Sequence, residues 1–127
     1  MKAFYICEPG VTEWRTIDPP EPAPGEVLLR VRTMGLCGTD LAIYRGLNPL
    51  VNYPCLPGHE LAATVERVTE GVPDSIQVGS KVAFLPYFSC GECPPCRLGR
   101  TNCCLDLEVM GVHRPGGFTE YVCISGD

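Results

Sequence analysis

The sequence lacks any long uncharged hydrophobic run and any excess of basic charge. No segment of its 127 residues approaches the ~20 consecutive apolar residues that a membrane-spanning helix needs. The opening MKAFYICEPG has no basic stretch followed by an apolar run, as a secretion signal would. Ten Lys and Arg residues stand scattered against fifteen Asp and Glu residues, which argues against a nucleic-acid-binding surface. These absences predict a cytoplasmic protein without nucleic-acid or membrane partners.

Long helical stretches and internal repeats are also missing. Thirteen prolines and fourteen glycines indicate short elements separated by turns. One short helix is predicted over residues 37–45, capped by Thr39 or Asp40 and ended by Gly46. Runs of alternating or β-branched residues predict strands at 2–7, 12–17, 27–32, 61–69, 81–85 and 118–124. The sequence therefore predicts a mainly β fold, a small barrel or sandwich.

Nine cysteines without a secretion signal point to metal binding rather than disulfides. Four of them follow the spacing C-x2-C-x2-C-x7-C in a lobe over residues 86–104 that is rich in Pro and Gly. Four thiolates leave a tetrahedral zinc ion no open position, so this site is structural. An iron–sulfur cluster is the rival, and Cys103 competes for the fourth position. The predicted ligands are Cys90, Cys93, Cys96 and Cys104.

A second group of candidate ligands lies upstream of the lobe. Cys37 precedes Gly38-Thr39-Asp40, and His59-Glu60 follows Pro57-Gly58. Cysteine and histidine both bind zinc, and Gly58 would allow a close approach of the backbone to a metal. On its own the pattern is weak, because a lone Cys and a lone His are more often packing residues.

The strings GLCGTDLAIYRG, PGHE, the cysteine lobe and GVHRPGGFTEYV resemble, in this order, the medium-chain zinc-dependent alcohol and polyol dehydrogenases. The stretch PYFSCGECPPCRLGRTNCC is most similar to the sugar-acid (hexonate) branch, near the polyol and threonine dehydrogenases. The resemblance implies a GroES-like small β-barrel with short helices and a protruding four-cysteine zinc lobe. It implies that residues 1–127 form part of the catalytic domain, without a Rossmann domain.

The resemblance also implies roles for the upstream residues. Cys37 and His59 would bind the catalytic zinc, with Glu60 beside it as a ligand or an outer carboxylate. Asp40 would orient His59, and Thr39 would take the proton of the substrate hydroxyl. Many relatives end the proton relay on a histidine where this chain has Ala42, so the proton would have to leave by water or another group.

No Gly-x-Gly-x-x-Gly turn of a dinucleotide-binding fold occurs in the sequence. We therefore expect the NAD(P)-binding site and a further zinc ligand to lie beyond Asp127. We also expect this chain alone to be inactive, as a fragment or a truncated product. The expected substrate is a small alcohol, polyol or sugar acid, and the expected assembly a homo-oligomer. The alternative is a stand-alone zinc-binding interaction module.

Overall fold

A computed structural model of the chain describes residues 1–126. Within this range the chain is mainly β, with short helical segments, as the sequence predicts. The strands are β1 Lys2–Glu8, β2 Val11–Thr16, β3 Glu26–Gly35, β4 Glu60–Val68, β5 Lys81–Ala83, β6 Tyr87–Phe88, β7 Glu108–Val109 and β8 Tyr121–Ser125. The helical segments are α1 Gly38–Tyr44, α2 Pro94–Arg97 and a 3-10 turn, Thr101–Cys103.

An antiparallel sheet with the order β5-β4-β3-β8 forms the body of the fold. Its central pair, β3 and β4, changes register twice, and such bulges bend and twist the strands. The β1-β2 hairpin is a separate two-stranded sheet, tied to the body by isolated bridges from Ala3 to Thr119 and from Ile6 to Cys55. The sheet and the hairpin together hold the segments that carry the candidate ligands.

The main core lies on one face of this sheet. In β3, Val27 and Leu29 are 2% and 0% exposed, and they pack with Leu61, Val65 and other apolar residues. Burying a side chain of this size stabilises the fold by about 1.5–3 kcal/mol. A smaller cluster of Ile6, Ile43 and Val51 fixes α1 against β1.

Some predicted boundaries were wrong. Cys37, rather than Thr39 or Asp40, caps α1: its Sγ accepts a hydrogen bond from Thr39 N at 3.3 Å, and Asp40 Oδ2 accepts one from Cys37 N at 3.0 Å. The last strand begins at Tyr121 rather than at Phe118. The strand predicted at 81–85 ends at Ala83, and the short β6-β7 pair was not predicted.

The helices within residues 1–126 are all too short or too polar to cross a membrane.

Candidate metal centres

The four predicted lobe cysteines converge on one point. The Sγ atom of Cys104 lies 3.5 Å from that of Cys90 and 3.9 Å from that of Cys93. All four sulfurs, including that of Cys96, lie within 4.8 Å of one another. Sulfurs at ~2.3 Å from a tetrahedral zinc ion are ~3.8 Å apart, so the spacing fits a single ion of this kind. Cys103 is exposed and falls outside the group.

Local turns place these sulfurs. Cys93 caps α2, which starts with proline and carries Cys96, and the 3-10 turn that follows returns the chain to Cys104. Backbone amides then face the sulfurs: Cys90 N lies 3.3 Å from Cys104 Sγ, and Cys93 N lies 3.4 Å from Cys90 Sγ. Donors of this kind stabilise the thiolate form that binds metal.

The lobe thiols differ in acidity. Backbone N–H donation, chiefly from Leu105, lowers the pKa of Cys93 to about 6. Burial and the shared proton with Cys93 raise the pKa of Cys96 to about 12. The four thiols therefore do not ionise together near neutral pH, and a bound cation is needed to hold all of them as thiolates.

Cys37 and His59, the candidate ligands upstream of the lobe, also lie close together. His59 Nε2 lies 3.0 Å from Cys37 Sγ, and both side chains are partly buried. Together with Asp40 they form a group whose potential ligand atoms lie within 4.8 Å of one another. A soft sulfur and an imidazole nitrogen that face each other form a donor set that suits zinc.

Asp40 holds the backbone at Cys37 and at Gly58, the residue before His59. It is 2% exposed, and its carboxylate accepts hydrogen bonds from Cys37 N at 3.0 Å and Gly58 N at 3.2 Å. Its Oδ1 lies 3.8 Å from His59 Nδ1, which is buried and has no hydrogen-bond partner. An unpaired buried nitrogen is costly, so a small approach of this ring to Asp40 would satisfy Nδ1 and leave the Nε2 lone pair for a metal.

Thr39 and Glu60 line the same cleft, but the metal-binding group does not include them. This open cleft of about 660 Å³ also contains Cys37 and His59. Glu60 is exposed, and its Oε2 would lie 2.5 Å from a Cβ atom at Gly35, so its side chain folds over this glycine. Its position beside a metal therefore stays a prediction.

Sequence reasoning did not identify three other residues that line the cleft, Thr33, Phe84 and Tyr87. Thr33 lies in β3, Phe84 directly after β5 and Tyr87 in β6, and no local pattern indicates that they share a cleft with Cys37. Long-range contacts bring these residues together.

Comparisons with known proteins agree with this geometry. The family described as "Alcohol dehydrogenase GroES-like domain" matches residues 23–127. An uncharacterised zinc-type alcohol dehydrogenase-like protein of Haemophilus influenzae is 43% identical over 96% of this chain and 36% of its own length. The L-galactonate-5-dehydrogenase of Escherichia coli K12 is 38% identical over 98% of this chain and 36% of its own length.

A solved structure has a fold similar to that of this chain. The RspB alcohol dehydrogenase of Escherichia coli CFT073, crystallised with NADH, superimposes with a TM-score of 0.88 at 42% identity. The match covers 98% of this chain and 36% of that one. The chain thus spans about 36% of the length of each of these relatives.

Proposed function

Because this chain belongs to the medium-chain zinc-dependent alcohol dehydrogenases, through its GroES-like domain, we propose that it supplies the metal-binding part of a dehydrogenase. The reaction would oxidise a secondary alcohol of a polyol, sugar acid or similar small molecule, with hydride transfer to NAD(P). The relatives named for L-galactonate oxidation and solved with NADH support this substrate and cofactor class. Residues 1–127, with the lobe at 86–104, would form part of the catalytic domain.

The observation that carries the proposal is the contrast between the two donor groups. In the lobe, four sulfurs surround one point and would saturate a zinc ion. Upstream, Cys37 Sγ and His59 Nε2 meet in an open cleft, where a substrate oxygen could reach a metal. A closed site stabilises the fold, whereas an open site does chemistry.

The residues of the upstream site have separate tasks. Zinc held by Cys37 and His59 would supply the Lewis acidity that lowers the pKa of an alcohol hydroxyl. Asp40 holds the backbone at Cys37 and at Gly58, the residue before His59, and would fix the tautomer that offers Nε2 once the imidazole approaches the carboxylate. Thr39 lines the cleft, where its hydroxyl can accept a hydrogen bond from the substrate hydroxyl and release its own proton. Ala42 carries no relay group, so that proton would leave by water or another group.

Replacing Cys37 tests the proposal. In the full-length protein, Cys37→Ala should abolish NAD(P)-dependent oxidation of polyols and sugar acids, while one zinc per chain remains in the lobe. Cys103→Ala is the matched control, because this thiol is exposed and outside both groups. Oxidation that survives Cys37→Ala would sink the proposed chemistry.

A second candidate function is a zinc-stabilised interaction module. Leu98 in the lobe and Leu105 just after it are 76% and 74% exposed, and exposed leucines can support protein contacts. This candidate predicts that partner binding survives His59→Ala and fails when the lobe loses zinc. The same leucines support a homo-oligomer, and the acidic charge balance weighs against nucleic-acid partners.

A further inference from the structure

The string GVHRPGGFTEYV has no part in the two donor groups. Its first eight residues form a turn at 111–118 that packs on residues 56–58, which lead directly into His59. We propose that this turn, and Gly116 above all, is a positioning element that aims the His59 imidazole at the metal. The inference rests on the proposed function, because it takes His59 as a ligand.

Backbone hydrogen bonds join the turn to this segment. Three consecutive amides of the turn donate to the three carbonyls that precede His59. The bonds run from Gly116 N to Leu56 O at 2.7 Å, from Gly117 N to Gly58 O at 2.9 Å and from Phe118 N to Pro57 O at 3.0 Å. The path of the chain into His59 is therefore fixed by contacts about 60 residues away in sequence, rather than by local structure.

The close approach requires glycine. A Cβ atom at Gly116 would overlap the Pro57 carbonyl and lie 2.6 Å from Leu56 O. A Cβ atom at Gly111 would lie 2.9 Å from Gly58 N. These neighbours are backbone atoms, which cannot rotate away as a side chain can. A methyl group at Gly116 would therefore push the segment away from the turn.

Asp40 holds the segment from the other side. Its Oδ1 accepts a hydrogen bond from Gly58 N, and the Phe118 ring packs so closely on Gly58 that a Cβ atom there would overlap it. The segment is thus clamped between α1 and the turn. A shift of this backbone would change the 3.0 Å approach of His59 Nε2 to Cys37 Sγ.

The turn is anchored to the base of the zinc lobe. The Arg114 guanidinium lies 4.4 Å from the centroid of the Phe88 ring, and its Nε lies 3.5 Å from Glu108 Oε2. Phe88 and Glu108 are partners in the β6-β7 pair. This anchor lets the turn resist displacement and hold residues 56–58 in place.

Cobalt binding to the full-length protein tests the inference. With zinc kept in the lobe, Co²⁺ at the upstream site should show a thiolate charge-transfer band that Cys37→Ala removes. In Gly116→Ala we expect about tenfold or weaker Co²⁺ affinity, as for other changes around metal ligands, and shifted d–d bands. Zinc content of the lobe should not change.

Gly79→Ala is the control for a strained glycine substitution, because Gly79 has a left-handed φ of +88° but no neighbour within 4 Å of an added Cβ, so it strains the backbone without pushing on another segment. Equal losses in both variants, or a wild-type spectrum and affinity in Gly116→Ala, would overturn the inference and leave the proposed function intact. A wild-type protein without the thiolate band would instead overturn the proposed function. If Gly116→Ala does not fold, Phe118→Leu decides: it removes the ring that packs on Gly58, so Co²⁺ affinity should fall, and an unchanged affinity would refute the positioning role of the turn.

Discussion

Replacing Asp40 with Asn should destabilise the protein although the side chain keeps its size. The carboxylate accepts two backbone hydrogen bonds, from Cys37 N and Gly58 N, and it is 2% exposed. An amide has one acceptor oxygen, so one of the two N–H groups would face an NH₂ group. An unsatisfied buried donor costs about 1–3 kcal/mol. For a domain of this size, ~2 kcal/mol lowers the Tm by roughly 7 °C.

Urea unfolding of the metal-loaded protein measures this loss. We expect a lower midpoint with an unchanged slope, since the surface exposed on unfolding stays the same. Asp74→Asn, an exposed site in a turn, should leave the midpoint unchanged. If Asp40→Asn proved as stable as the wild type, the carboxylate would not hold the backbone at Cys37 and Gly58, and this account of the site would be wrong.

Two further predictions concern the thiols. Burial raises the pKa of Cys96 to about 12, so this thiol keeps its proton near neutral pH in the metal-free lobe and zinc binding displaces the proton. The affinity of the lobe for zinc should therefore fall by about tenfold or more per pH unit from pH 8 to pH 6. A competition titration with a chelator measures this, and a flat pH profile would refute it. Burial also raises the pKa of Cys123 to about 11, so iodoacetamide at pH 8 should alkylate exposed Cys103 well before Cys123. Peptide mass mapping measures the two alkylation rates, and equal rates would contradict the burial of Cys123.

The clustering of the lobe cysteines was predictable from sequence because most of them are close together in the chain. Cys90, Cys93 and Cys96 follow one another at intervals of three, and turns of that length fix where their sulfurs point. The mainly β architecture was also accessible, since alternation in β3 and β4 records which face is buried. Both predictions follow from local sequence patterns and do not require distant contacts to be known.

The upstream site was less predictable because it depends on distant contacts. Cysteine is not among the preferred N-cap residues, so its role before α1 left no signal. The amides of residues 116–118 bind residues 56–58 instead of starting a strand, which no local propensity reveals. Glu60 opens β4 directly after His59, and neighbouring side chains on an extended chain point to opposite sides. Proximity in sequence to His59 therefore does not by itself place Glu60 beside a metal, and that position stays a prediction.

Zinc content combined with X-ray absorption spectroscopy tests the central claim most directly. We predict two zinc ions per chain in the full-length protein, one bound by four sulfurs and one by mixed sulfur and imidazole ligands. His59→Ala should remove one zinc and all imidazole scattering, and leave the four-sulfur signal intact. A single zinc per chain with no imidazole ligand in the wild type would contradict the account.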